Sequence, residues 1–246
     1  MRIKITFSYD GSKFAGFQRQ NNVESVQKTI ENILSEIYQK PIEIKGAGRT
    51  DVGVHANNQV AHFEADYLLL NLKKQMNSYL YPNIIIKKVT KVSENFHARH
   101  SVKKKEYLYK INLGAYQNNL QDYYYQPQFK LDISLMKETA KLFIGTHNFQ
   151  NFVSGSRDNY LARIESITFT KSFNKLIIHF KGKGFYRYMV RNLMGALIEV
   201  GKSKVDPEYV KRMLDNPDVS LRLPTAPACG LYLNKIWYEK DNKKIN

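Results

Sequence analysis

At 246 residues the chain can form one large domain or two of ordinary size, and 38 lysines and arginines against 22 acidic residues leave it a net charge of +16. That balance argues for a polyanionic partner, since each cation that neutralises a phosphate releases a counterion, and 17 tyrosines offering faces for stacked bases favour nucleic acid over an anionic membrane surface. No stretch approaches the ~18 apolar residues of a spanning helix, and the lone cysteine, Cys229, excludes an internal disulfide and a Cys-cluster zinc site.

Ile3, Ile5 and Phe7 alternate with polar residues, so the chain opens on a half-buried strand rather than a signal peptide and reads as a soluble cytoplasmic protein. From Ser25, residues Val26, Ile30, Ile33, Leu34 and Ile37 recur at helical spacing until Pro41. A short strand is expected near Ile42–Lys45, another near Gln59–Glu64, a helix through Leu69, Leu72, Met76 and Leu80, and a strand over Ile84–Val89. Between the strands near Ile42–Lys45 and Gln59–Glu64 runs Gly46–Ala56, GAGRTDVGVHA. It sets Asp51 in a turn whose glycines allow close backbone approach, directly after Arg49, where a neighbouring guanidinium favours the anion. A tight turn in which Asp only bonds its own loop is the plainer reading of such a run.

The second half repeats the order. Tyr107–Leu113 reads as a strand, Ile133–Phe143 as a helix, Ile164–Phe173 and Leu176–Lys181 as strands, Tyr188–Val200 and Pro207–Leu214 as helices, and Leu231–Trp237 as a last strand. Residues 114–128 and 150–160 read as loops, and Lys240–Asn246 as a frayed tail. The predicted architecture is α+β, with two pseudo-symmetric ferredoxin-like βαββαβ halves of antiparallel sheet. The halves are 1–104 and 105–246, joined near the basic run Lys103-Lys104-Lys105, with a basic cleft between them as the default ligand site.

Several chemistries are absent from the pattern. Gly46-x-Gly48 lacks the third glycine of a dinucleotide fingerprint and no P-loop follows. His97-x-x-His100 has weak metal spacing, and His55 and His62 read as loop and strand residues. What remains is a carboxylate amid cations and rings: Tyr107, Tyr109, the run Gly182-Lys183-Gly184-Phe185-Tyr186-Arg187-Tyr188, and Arg191 one turn further on. Alone, Tyr107 reads as a core aromatic and Arg191 as a solvated helix residue. With Asp51 they supply a stacking platform, a counterion and a reacting acid, which suits chemistry on a base extruded from its stack.

Those residues lie within a series that resembles the TruA family of tRNA pseudouridine synthases over nearly the whole chain. The series comprises Tyr9-Asp10-Gly11 with Phe14, Gly16 and Gln18, Ser25-Val26-Gln27, the Gly46–Ala56 run and Phe96-His97-Ala98-Arg99. It continues with Tyr107-x-Tyr109, Gly145-Thr146-His147, Phe185 through Asn192, and Ala226-Pro227-Ala228-x-Gly230-Leu231. The resemblance implies two ferredoxin-like halves, a homodimer, and isomerisation of uridines 38, 39 and 40 in the tRNA anticodon arm, with no metal and no cofactor. It gives Asp51 the role of catalytic aspartate, Tyr107 that of the tyrosine on the target base, and Arg191 that of the arginine paired with the aspartate. Arg49 is expected to help hold Asp51 ionised, and Lys103, Lys104, Lys105, Lys181 and Lys183 to track phosphates. Asn148 and Arg187 depart from the commoner pattern, in which Asp and His stand there. Two other readings of the residues are an RNA chaperone without catalysis and a metal-dependent nuclease built on Asp51, His97 and His100.

Overall fold

The computed structural model describes residues 1–217 and 220–239, so the expected tail Lys240–Asn246 lies outside the described residues. The chain mixes α and β structure, with mostly antiparallel strands and five α-helices among the described residues. It divides into two compact units: Met1–Lys104 with the segment from Tyr232 onward, and Lys105–Leu231. No helix among the described residues is long and apolar enough to cross a membrane.

In the first unit β1 (Arg2–Tyr9) buries every second residue, as a strand with one face on a core must. It runs antiparallel between β3 (His55–Glu64) and β4 (Ile84–Val92), with Ile5 opposite both Ala61 and Val89. Two residues, β2 (Lys45–Gly46), pair on the far side of β3. This strand is shorter than expected because the preceding amides are already taken. Ile42 N donates to Ser35 Oγ and Ile44 N to the buried carboxylate of Glu31, both on α1 (Val26–Tyr38). Ser25 caps α1 by accepting from Lys28 N, which explains why the helix starts where the apolar periodicity does. Ile30 and Leu34 of α1 and Leu72 and Met76 of α2 (Leu72–Leu80) close a core with Ile3, Ile5 and Phe7.

The register of β1 on β3 slips near its end: Phe7 faces Gln59, but Tyr9 faces Ala56. One extra residue of β3 is accommodated there. Such bulges bend a strand and re-aim its side chains, and this one begins where the Gly-rich loop ends.

In the second unit β5 (Val102–Asn112) pairs with β8 (Lys175–Gly182), β8 with β7 (Leu161–Ser172) and β7 with β6 (Gly145–Asn148), all antiparallel. The helices are α3 (Ile133–Lys141), α4 (Met189–Gly201) and α5 (Pro207–Asp215). Every residue of α4 from Leu193 to Gly201 is buried, the pattern of a helix at the centre of its domain.

Two expectations change and one strand was not expected. The basic run Lys103–Lys105 is part of strand β5 rather than a connector. The four-residue β6 arises from a segment too short and too polar to carry a period. The final strand β9 (Leu231–Tyr238), expected to end the second half, joins the first unit from Tyr232 and introduces a parallel pairing, His55 to Tyr232 and Ala56 to Leu233. Side chains fix it there: Asn57 Nδ2 donates to Asn234 Oδ1, Asn58 Nδ2 to Asn234 O, and the Tyr238 hydroxyl to Ala98 O.

Candidate active site

Asp51 is half-buried in the loop between β2 and β3, and the loop is fastened on both sides of it. Ala47 N donates to Val60 O (2.7 Å) and the Gln59 amide to Gly48 O (3.0 Å). Phe17 N donates to Thr50 O (3.1 Å), and Thr50 Oγ1 shares a 2.8 Å hydrogen bond with the Tyr9 hydroxyl. Val54 N then donates to Asp51 O (3.2 Å) around Gly53, whose φ of +78° favours glycine. The N-terminal segment packs backbone to backbone against this loop. A Cβ at Gly11 would stand 2.2 Å from Val54 O, and one at Gly16 would stand 3.0 Å from Thr50 O. His55, the first residue of β3, is buried, accepts from Gly11 N at Nδ1 (3.0 Å) and stacks on Tyr232. Its visible work is structural.

Tyr107 and Arg191 belong to the second unit. Tyr107 is 8 % exposed on β5, opposite Phe180, and its ring meets the edge of Phe185 at 5.3 Å. Phe185 in turn closes over Gly182, where a Cβ would lie 3.2 Å from its ring. Phe185 is a ring that the sequence reading left without a role. Gly182, three residues before it, was the available signal for a close-packed aromatic.

Arg191 is half-buried on the first turn of α4. Its Nε donates to Ala226 O (2.8 Å), Ala226 N donates back to Arg191 O (3.1 Å), and its guanidinium lies 5.0 Å from the Tyr188 ring. Tyr188 itself holds φ +63° at the helix start, a left-handed geometry that is costly for a residue with a Cβ. The segment carrying Ala226 is further held by Thr225 Oγ1 donating to Asn192 Oδ1 (2.7 Å) and by Gly195, where a Cβ would stand 1.8 Å from Pro224 O. Gly195→Ala is therefore expected to lose about 1–3 kcal/mol of stability through overpacking, although Gly→Ala inside a helix ordinarily gains about 1 kcal/mol. A rise in thermal midpoint would contradict this.

The cations are differently placed. Arg49 is exposed and, among the described residues, forms no ion pair. The expectation that it holds the Asp51 charge thus has no salt bridge behind it. Lys103 pairs with Glu239 (2.5 Å) and Lys181 with the buried Glu106 (3.4 Å). Lys104 and Lys105 are half-buried, and Lys183 is exposed. The Nδ1 atom of His97 accepts from Arg99 N and His100 N (3.1 and 3.3 Å), so this pair caps a turn. Asn148 ends β6 and accepts from Gln150 N (3.0 Å), a bond that an Asp makes equally well. Arg187 is exposed beside the Tyr188 ring.

The sequence matches the family described as tRNA pseudouridine synthase over residues 5–101 and 139–239, stretches that hold the Asp51 loop, Phe185 and Arg191. The chain belongs to the tRNA pseudouridine synthase family. Relatives named tRNA pseudouridine synthase A resemble it from end to end. The Limosilactobacillus reuteri protein (strain DSM 20016) is 40% identical over 253 residues, 99% of each chain. That of Thermodesulfovibrio yellowstonii is 40% identical over 97% of this chain and 100% of its own. That of Mycoplasmoides gallisepticum is 39% identical over 96% and 91%. Membership in a synthase family removes the chaperone and nuclease readings. In this synthase Tyr107 falls in the gap between the two matched stretches.

Proposed function

We propose that the synthase isomerises uridine to pseudouridine at positions 38, 39 and 40 of the tRNA anticodon stem-loop. The bond from ribose C1′ to uracil N1 breaks, the base turns, and C1′ bonds to C5; N1 gains a proton and C5 releases one. The reaction is balanced within one nucleotide and solvent, which accords with a chain whose motifs include no nucleotide-binding or metal signature. Asp51 supplies the reacting carboxylate, by attack on the nucleoside or by removal of a ribose proton. Tyr107 stacks on the everted uracil, worth about 1–3 kcal/mol for one base, and Arg191 holds the carboxylate ionised. The observation that carries this reading is the fastened Arg-Thr-Asp loop, in a chain about 40% identical from end to end to enzymes of that name.

The finer architecture belongs to the same proposal: two ferredoxin-like halves, the first supplying Asp51 and the second Tyr107 and Arg191, with a basic cleft for RNA. The βαββαβ order of the first unit, with β1 paired between β3 and β4, supports it. We further propose a cytoplasmic homodimer, for which sedimentation at working concentration is the test; a monomer contradicts it.

Transcripts carrying uridine at only one of positions 38, 39 and 40 test the site assignment. Pseudouridine is expected at each, and modification confined to other positions would overturn it. Lys183→Ala is expected to flatten the plot of log affinity against log salt by about 0.7–0.9 while leaving turnover at saturation intact. Lys103→Ala should flatten it less, because Glu239 already opposes that charge. An unchanged slope for Lys183→Ala removes it from the RNA contact.

A further inference from the structure

The Tyr9 hydroxyl is buried at the end of β1, 2.8 Å from Thr50 Oγ1, and the residue after Thr50 is Asp51. Tyr9 is 5 % exposed, Thr50 8 %, and Gln59, which holds Gly48 from below, is completely buried. Burial pushes the Tyr9 phenol up to about 12, with its bonds to Thr50 and Gln59 acting the other way, so it stays a neutral hydroxyl across the physiological range. Thr50 is gripped at two points, its side chain by Tyr9 and its carbonyl by Phe17 N. A β-branched residue held at its hydroxyl has little rotamer freedom left. The strand behind Tyr9 is anchored through the fully buried Ile3, Ile5 and Phe7. A rigid path thus runs from the core of the first unit to the backbone of Asp51.

We propose that Tyr9 is a positioning residue of the synthase: by holding the Thr50 hydroxyl in the core, it fixes the backbone from which the Asp51 carboxylate meets the uridine. The inference rests on Asp51 being the reacting acid. Its physical basis is that a drift of ~1 Å in a reacting group costs about a hundredfold in rate. Fold stability does not require the bond, since replacing both partners of a buried hydrogen bond with apolar groups of similar shape is nearly neutral.

The test compares Tyr9→Phe, Thr50→Val, their double variant and Thr50→Ser in single-turnover pseudouridine formation, with tRNA affinity and thermal midpoint measured alongside. The two single variants and the double are each expected to lose about tenfold or more in kcat with KM for tRNA unchanged. The double should be no slower than the worse single and should recover thermal stability without recovering rate. Thr50→Ser, which keeps the hydroxyl, should restore turnover. A smaller loss in kcat, a loss carried by KM, losses that multiply in the double, or failure of Ser to rescue overturns the proposal. Asp51→Asn run in parallel separates the underlying reading: activity there defeats the role of Asp51, whereas an inactive Asp51→Asn beside a fast Tyr9→Phe defeats only the role of Tyr9.

Discussion

Asp51→Asn synthase is expected to bind unmodified tRNA at least as tightly as the parent and to form pseudouridine about a hundred- to ten-thousand-fold more slowly. Asn has the shape of Asp without its charge or basicity. The hydrogen bonds through Gly48 O, the Thr50 hydroxyl and carbonyl, and the Asp51 carbonyl do not use the group that is replaced, so the substitution leaves those bonds in place. Affinity is set by the cations of a chain with a net charge of +16, and loss of one negative charge works in favour of RNA binding. Nucleoside analysis under single-turnover conditions, with filter binding at fixed salt, measures both quantities. A rate near that of the parent would mean that another group carries the reaction.

Arg191→Ala is expected to lower kcat by about 2 kcal/mol, roughly thirty-fold. Stranding a fully buried charge costs about 3–5 kcal/mol, but Arg191 is only half-buried, and solvent moderates the penalty. Arg191→Lys should recover part of the loss and no more. A lysine keeps the charge but has no Nε–H to donate to Ala226 O and no planar guanidinium to lay on Tyr188. Steady-state kinetics against a tRNA titration distinguish the roles: a change confined to KM would make Arg191 a phosphate contact rather than the proposed partner of the acid.

Most helices and strands were legible because their signals are local. Ser25 and Asp206 cap α1 and α5 where the apolar periods begin, and Ile3, Ile5 and Phe7 alternate along β1. The Asp51 loop stood out in the sequence because a Gly-rich turn around one acid is a compact, local pattern. Other features depend on partners distant in sequence. β9 joins the first unit through Asn57, Asn58 and Asn234, a set without any period that marks it as paired. The hold of Tyr9 on Thr50 spans 41 residues, and a tyrosine ending a strand looks like any other core aromatic. For Arg49, adjacency in sequence suggested an ion pair with Asp51, and no such pair is present among the described residues. The carboxylate partners of Lys103 and Lys181 were equally out of sight, since Glu239 and Glu106 meet them only through the return of the C-terminal segment and strand pairing.

The most direct measurement uses unmodified tRNA tritiated at uracil C5, incubated with the wild-type synthase in the presence of a chelator. Joining ribose to C5 must expel that hydrogen, so tritium should enter solvent one for one with pseudouridine formed, and Asp51→Asn should release it at least about a hundredfold more slowly. Retention of the label on a tRNA that the enzyme binds, or release undiminished by loss of the carboxylate, would contradict the account.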